Sequence, residues 1–165
     1  MKKTSVVYGS STGSCQDVAE QIAKKLGVSD VKNVSEVDAD TLSGYDNLLL
    51  GTSTWGAGEL QDDWYDGVDA LKSADLSGKT IALFGCGDAE GYSDTFCGGM
   101  SEIYKTVKDS GAKLIGQVPA DSYTYDDSES VVDGKFVGLA IDVSESEEET
   151  EKRIDDWIDV IRPEL

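Results

Sequence analysis

Short apolar runs alternate along this chain with segments of helical period, and this alternation limits the folds open to it. Three runs, at residues 6–8, 48–50 and 81–84, end in turns rich in glycine, serine or threonine. Such runs are typical of strands buried on both faces of a parallel sheet. Because parallel strands need crossover connections, usually helices, the pattern predicts an α/β fold.

Apolar residues recur at helical spacing between and after these runs. The stripe that includes Ile22 stops at Gly27, and the last helix is predicted to begin at Ser146, with Glu149 in the capping-box position three residues on. The predicted stripes are Val18, Ile22 and Leu26; Trp64, Val68 and Leu71; Phe96, Met100, Ile103, Tyr104 and Val107; and Ile154, Trp157, Ile158 and Ile161.

The second and fifth strands are less regular. We predict the second at 31–34, and we predict the fifth in two pieces, 113–116 and 136–141. The polar segment between the two pieces carries Tyr123, Tyr125 and two adjacent valines, so we expect an ordered loop or hairpin there. The whole chain, 1–165, is predicted to form one doubly wound domain with helices on both faces of the sheet.

Charge and composition exclude several classes of protein. The 165 residues hold 14 Lys and Arg against 33 Asp and Glu, a formal net charge of −19, with no histidine. Nucleic acid and anionic membranes would be repelled, whereas a basic protein partner would be attracted, unless the acidity serves only solubility. The absence of histidine excludes Ser-His-Asp and Cys-His catalysis and most zinc chemistry, so we expect no metal site.

The cellular compartment is predicted from two further features. No run approaches the roughly 18 apolar residues of a membrane span, and the short run at Val6 and Val7 is no signal-peptide core, so we expect a cytoplasmic protein. The three cysteines, Cys15, Cys86 and Cys97, are odd in number and have no CxxC spacing. We therefore expect free thiols in a reducing compartment.

The loop after the first strand has the character of an anion site. It runs into the first turn of a helix, whose backbone N–H groups and dipole can hold a phosphate without any cation. It matches neither a Walker loop nor GxGxxG. A purely structural helix cap remains the alternative. The loop consists of Ser10, Ser11, Thr12, Gly13, Ser14 and Cys15.

The loops after the third and fourth strands each carry an aromatic residue among glycines. Trp55 stands in GTSTWGAGELQDDW and Tyr92 in GCGDAEGYSDTF. Aromatic residues at such positions favour a site for a flat ligand, although Trp55 folded over the sheet edge is the alternative. Because the carboxyl ends of parallel strands meet at one edge, the set fits a planar ring joined to a phosphate.

With these loops the sequence resembles a flavodoxin, a small protein that carries electrons on flavin mononucleotide (FMN). The segments SSTGSC, STWGAGELQDDW, GDAEGYSDTF and VVDGKFVGLAID carry the resemblance, which covers the whole chain. The insertion in the fifth strand resembles that of the long-chain members. The resemblance implies a five-stranded sheet in the order 2-1-3-4-5, non-covalently bound FMN, and a monomer.

The resemblance also implies the cofactor contacts. Trp55 would cover the inner face of the flavin and Tyr92 would stack on its outer face. Cys15 stands where the family usually has threonine, and a thiol is a poor hydrogen-bond donor to a phosphate. The implied contacts are Ser10, Ser11, Thr12, Gly13, Ser14 and Cys15 for the phosphate, and Thr52, Ser53, Thr54, Trp55, Gly56, Cys86, Gly87, Asp88, Tyr92, Phe96 and Cys97 for the ring.

The function implied is low-potential, one-electron transfer through the quinone, neutral semiquinone and hydroquinone forms of FMN. Its partners would present basic surfaces: flavodoxin reductase-type donors and low-potential acceptors. An FMN-dependent quinone reductase-like enzyme is the alternative, which would need a second pocket beside the ring. A receiver domain would need an acidic pair after the first strand and an aspartate ending the third, whereas this chain has Gly9-Ser10-Ser11 and Gly51-Thr52-Ser53.

The resemblance places Gly56 beside flavin N5, which gains a proton with the first electron. A peptide flip that turns the Gly56 carbonyl toward this new donor is far easier for glycine than for residues with a Cβ. We predict that Gly56→Val keeps FMN bound but lowers the first potential and the maximum semiquinone yield, as a redox titration measures. An unchanged semiquinone yield would contradict this role.

Overall fold

The sheet is built around a central strand that pairs on both sides with parallel neighbours. This computed structural model describes residues 2–9, 13–55, 59–91 and 93–165. Strand β1 (Thr4–Gly9) pairs with β3 (Asn47–Trp55) along its whole length, and β2 (Val31–Asn33) lies on the other side of β1. On its far side β3 pairs in parallel with β5 (Thr80–Gly87).

The predicted fifth strand is present in two pieces. Strand β6 (Lys113–Ile115) pairs with the amino half of β5, and β10 (Leu139–Asp142) pairs in parallel with its carboxyl half. The sheet order β10-β5-β3-β1-β2 confirms the predicted order 2-1-3-4-5 and the split. A short strand, β4 (Glu59–Leu60), adds an antiparallel pair to the end of β3.

The residues between β6 and β10, 116–138, form what we call the inserted lobe. It holds a three-stranded antiparallel sheet of β7 (Val118–Pro119), β8 (Val131–Val132) and β9 (Lys135–Phe136), with β9 in the middle. This confirms an ordered insertion. The predicted second piece of the fifth strand began too early, because Phe136 pairs with Val118 and Val131 inside the lobe.

Helices cover both faces, as predicted. On one face α1 (Ser14–Leu26) and α5 (Glu147–Ile161) pack through their stripes against Val6, Leu49 and Phe84. The other face is covered by the remaining three helices. These are α2 (Ala39–Ser43), α3 (Trp64–Ser73) and α4 (Gly99–Val107). Among the described residues, no helix is long and apolar enough to cross a membrane.

Two predicted helix ends are confirmed. Helix α1 stops at Gly27, which adopts the left-handed conformation with φ 76° and donates to the carbonyl of Lys24. Before α5, the Ser146 hydroxyl accepts a hydrogen bond from the Glu149 N–H at 3.2 Å. The acidic first turn of α5 also faces the positive end of the helix dipole.

Other boundaries differ from the predictions. Phe96 does not lie on α4, because Cys97 has a φ of 51° and this left-handed residue separates it from the helix. Strand β2 ends at Asn33, whose side chain accepts from the Ser35 N–H and caps a short turn. Helix α2 was not predicted at all, since five residues are too few to show a periodic stripe.

Candidate functional site

Four neighbouring strands bring the predicted loops to one edge of the sheet. Gly9 at the end of β1 lies opposite Thr52 of β3, and Ser53 of β3 lies opposite Cys86 of β5. On the other side, Gly87 pairs with Asp142 at the end of β10. The carboxyl edge of a doubly wound sheet is where ligands bind, so this register makes it the candidate site.

The first turn of α1 supplies the anion-binding part of this edge. Gly13 enters the helix with φ 92°, and its carbonyl accepts the first intrahelical hydrogen bond, from Asp17 N–H at 2.9 Å. The N–H groups of Ser14, Cys15 and Gln16 therefore have no acceptor within the helix, and Gly13 at the N-cap position has no side chain to cap them. Such a donor set at the positive end of a helix dipole fits a phosphate.

Close packing under the end of β1 requires glycine. A Cβ on Gly9 would lie 2.5 Å from both Oε1 of Gln61 and Cδ1 of Trp64. Trp64 is fully buried and donates from Nε1 to the Gly51 carbonyl at 2.7 Å. Gln61 and Trp64, just after β4, thus pack against the end of β1, and Trp64 also bonds to β3.

The threonines of β3 bond within the protein. Thr52 is fully buried; its hydroxyl donates to the Ser53 carbonyl at 2.8 Å and accepts from the Gln61 N–H at 3.3 Å. The Thr54 hydroxyl accepts from the Gly99 N–H at 3.1 Å. Of the predicted flavin contacts on this strand, Thr52 and Thr54 therefore connect the strand end to Gln61, just after β4, and to the start of α4.

Carboxylates shape the loop that follows β5. Asp88 accepts from the N–H groups of Glu90 and Gly91, each at 3.0 Å, which closes a local turn. Asp142, at the end of β10, accepts through one oxygen from the Ala89 N–H at 3.1 Å and from Ser144 N–H at 3.0 Å. The loop is therefore anchored to β10 as well as to its own strand.

All three cysteines are buried free thiols, as predicted, and they are neighbours. A hydrogen bond with the Cys86 thiol and burial raise the pKa of Cys15 well above its usual value. Burial likewise raises the pKa of Cys97. Although Cys15 stands at a helix N-terminus, which by itself would stabilise a thiolate, its thiol stays protonated at neutral pH.

Phe96 and Cys97 are buried behind the loop that follows β5. Phe96 is 1% exposed, and its ring packs against Tyr123 and Tyr125 of the inserted lobe. Cys97 is fully buried and directly contacts the backbone of Gly87, where a Cβ would lie 2.6 Å from the Cys97 nitrogen. Both residues thus support the β5 loop from behind.

Part of the predicted site falls outside the described residues. These positions are Ser10, Ser11, Thr12, Gly56 and Tyr92, and the side chain of Trp55. The backbone of Trp55 ends β3 and pairs with Glu59 of β4. The predicted roles of these residues remain predictions.

Comparison with known proteins agrees with this arrangement. The family model described as Flavodoxin matches residues 6–157. The chain belongs to the flavodoxin family. Flavodoxin 1 of Azotobacter vinelandii is 44% identical over 100% of this chain and 98% of its own length, and a Synechocystis flavodoxin is 39% identical over 100% and 99%.

Solved flavodoxins superpose on the whole chain. The crystal structure of Fusobacterium nucleatum flavodoxin bound to FMN matches with a TM-score of 0.91 and 32% identity, covering 100% of this chain and 99% of that one. The K13G mutant of the same protein, also bound to FMN, matches with a TM-score of 0.92 and 32% identity, covering 100% and 98%.

Sequence reasoning missed Asp142 in this flavodoxin's site. Asp142 immediately follows the predicted strand 136–141. An aspartate directly after a buried strand lies at the carboxyl edge of the sheet, and this position could have indicated a site residue. Its connection to Ala89 spans 53 residues of sequence, so no local pattern could reveal it.

Two substitutions at Asp142 separate its hydrogen bonds from its charge. Asp142→Ala removes the acceptor shared by Ala89 and Ser144, and we expect the exchange of these two amide protons to accelerate about tenfold or more. Asp142→Asn keeps an oxygen in the same place, so exchange stays near the wild-type rate. NMR-detected hydrogen exchange measures both. Equal exchange in the alanine variant would show that Asp142 does not hold the loop.

Proposed function

We propose that this flavodoxin is a cytoplasmic, low-potential one-electron carrier that binds FMN non-covalently at the carboxyl edge of its sheet. One observation carries the proposal: the first turn of α1, whose N-cap residue is Gly13, lies at the same edge as the two loops predicted to enclose a flat ring. Bound FMN supplies the redox chemistry, two successive one-electron transfers. The protein binds the cofactor, orients it and sets its potentials.

The phosphate would bind at the first turn of α1. The N–H groups of Ser14 and Cys15 and the predicted hydroxyls of Ser10, Ser11 and Thr12 supply donors, and no lysine or arginine stands in the loop. Because the Cys15 thiol is hydrogen-bonded with the Cys86 thiol, we propose that Cys15 contributes its backbone N–H to the phosphate rather than its side chain. The donor set therefore fits a phosphate held by neutral groups.

The ring would lie between the ends of β3 and β5. Ser53, Cys86, Gly87 and Asp88 adjoin this space, and we keep Trp55 and Tyr92 as its proposed walls. Support comes from the flavodoxin of Fusobacterium nucleatum, 32% identical over the full chain, whose structure is bound to FMN. The curated relatives are named flavodoxins, so a quinone reductase-like enzyme is not favoured.

Charge around this edge would lower the potentials. Asp88 follows β5, which borders the proposed ring, and Asp142 ends the neighbouring strand β10 and is 7% exposed. Reduction adds negative charge near these carboxylates, and repulsion at short range in a partly buried site disfavours the fully reduced anion. We therefore propose that these two residues help to make the protein a strong donor.

Basic residues are concentrated away from the proposed site, which supports basic partners. Because the helices run antiparallel to the strands, their last turns and the strand starts share the edge opposite the site. That edge carries Lys2, Lys3, Lys24, Lys25, Lys72, Lys79, Lys105, Lys108, Lys113 and Arg162, together with acidic residues such as Asp46, Asp75, Asp109 and Glu164. The site edge carries Asp17, Asp62, Asp63, Asp88, Glu90, Asp94, Asp142, Glu145, Glu147, Glu148 and Glu149. We propose that this asymmetry turns the site toward the basic surface of a redox partner.

Cofactor binding is tested by titrating the apoprotein with FMN. We expect an equimolar complex with quenched flavin fluorescence. Riboflavin, which lacks only the phosphate, is the matched control and should bind about a hundredfold or more weakly, because several charge-assisted hydrogen bonds are lost. Equal affinity for the two ligands would argue against the proposed phosphate site, and failure to bind FMN would overturn the function.

Partner encounter is tested by its dependence on salt. We expect the second-order rate constant for reduction by a basic flavodoxin reductase to fall as ionic strength rises from low to physiological, since screening weakens steering. An uncharged viscogen such as sucrose, matched in viscosity, serves as the control. A rate constant that does not change with salt would contradict the steering proposal.

A further inference from the structure

The inserted lobe lies beside the chain segment that follows the β5 loop. It leaves the sheet after β6 and returns at β10, and both strands pair with β5. The lobe therefore projects from the edge of the sheet next to the strand that leads into the proposed flavin site. Residues 93–98 connect that loop to α4 and pass directly against the lobe.

Hydrogen bonds from the lobe hold two consecutive residues of this segment. The Phe96 N–H donates to the Asp127 carbonyl at 3.2 Å, and the Ser128 hydroxyl donates to the Phe96 carbonyl. The Ser130 hydroxyl donates to the Cys97 carbonyl at 2.7 Å. Ser128 is 7% exposed and Ser130 fully buried, so water does not readily replace either donor.

Aromatic packing around the Phe96 side chain also holds this segment against the lobe. The Phe96 ring lies 5.7 Å from the rings of Tyr125 and Phe136 and 6.0 Å from that of Tyr123, measured between centroids. Tyr123 in turn donates its hydroxyl to the Ala140 carbonyl of β10 at 2.7 Å. The lobe is thus anchored to the sheet while it contacts Phe96.

Residues 97–99 contact the ends of both strands that border the proposed flavin site. Cys97 packs closely against Gly87 at the end of β5, and the Gly99 N–H donates to the Thr54 hydroxyl near the end of β3. The left-handed conformation of Cys97, φ 51°, is one that a residue with a Cβ keeps only when its surroundings enforce it. The Ser130 hydrogen bond to the Cys97 carbonyl is one such restraint.

We infer that Ser128 and Ser130 are positioning residues for the bound flavin. They act through the backbone of Phe96 and Cys97 and keep the residues around Thr54 and Gly87, where β3 and β5 end, in the positions that the bound ring requires. The inserted lobe is therefore part of the cofactor site although its own residues need not touch the ring. The inference rests on the proposed function, because it takes FMN as the ligand.

Ser128→Ala removes the hydroxyl that donates to the Phe96 carbonyl. Ser130→Ala removes the shorter of two hydrogen bonds to the Cys97 carbonyl, which keeps the one from the Met100 N–H at 3.3 Å. The backbone of residues 96 and 97 should then move to regain a hydrogen-bond donor. Because Cys97 packs against Gly87 and Gly99 follows two residues later, this movement would reach both glycines. Because mutations in a binding site act mainly on dissociation, a looser segment should release the flavin faster with little change in association. A lower thermal stability of the apoprotein would not by itself raise the FMN dissociation rate while leaving the association rate unchanged.

The experiment compares Ser128→Ala and Ser130→Ala with a matched control, Ser110→Ala. Ser110 also donates its hydroxyl to a backbone carbonyl, that of Val107 at 2.6 Å, but it lies beyond the far end of α4. For each variant, amide exchange at residues 96–99 and thermal stability are measured in the apoprotein, and FMN association and dissociation by stopped flow.

We expect Ser128→Ala and Ser130→Ala to accelerate exchange at residues 96–99 and to raise the FMN dissociation rate constant about tenfold, equivalent to about 1.4 kcal/mol. Ser110→Ala should change neither, even where its apoprotein loses as much thermal stability. Unchanged exchange would overturn the inference, because the serines would then not hold the segment. Faster exchange with FMN dissociation matching the Ser110→Ala control would also overturn it. Wild-type protein that fails to bind FMN would instead overturn the proposed function, and this inference with it.

Discussion

The parallel pairing of β3 with β1 on one side and β5 on the other determines where every part of the proposed site lies. The pairing runs from Thr4↔Asn47 to Gly9↔Thr52 in one direction and from Asn47↔Thr80 to Ser53↔Cys86 in the other. A shift of one residue in either register would move each side chain to the opposite face of the sheet, where it would meet a different set of helices, so packing on both faces fixes the register. The three loops therefore start from points whose relative positions are set by the core.

Neutral donors at this edge reconcile the acidic character of the chain with an anionic ligand. The first turn of α1 presents backbone N–H groups whose partial charge does not depend on any cation. The carboxylates of the edge are engaged in local structure: Asp88 closes its own turn, and Asp142 joins β10 to the β5 loop. The same residues that order the loops thus also give this edge its negative field.

Periodicity and turn chemistry were enough to predict the sheet, the long helices and the ends at Gly27 and Ser146, because these depend on local sequence. The resemblance supplied the strand order and the site residues. The position of Phe96 could not be predicted, since its neighbours Tyr123 and Phe136 are brought to it by tertiary packing. The hydrogen bond from Ala89 to Asp142 and those made by Ser128 and Ser130 could not be predicted for the same reason.

The hydrogen bonds between the lobe and residues 96 and 97 also have a consequence for the order of folding. They join positions 32 and 33 residues apart, so their formation must overcome the entropy of closing a long loop. Both β6 and β10 have to dock on β5 before the lobe can meet this segment. We therefore expect the central strands to assemble early and this part of the proposed cofactor site to become ordered last. A ribosome-bound chain would consequently remain without a finished site until β10 had emerged.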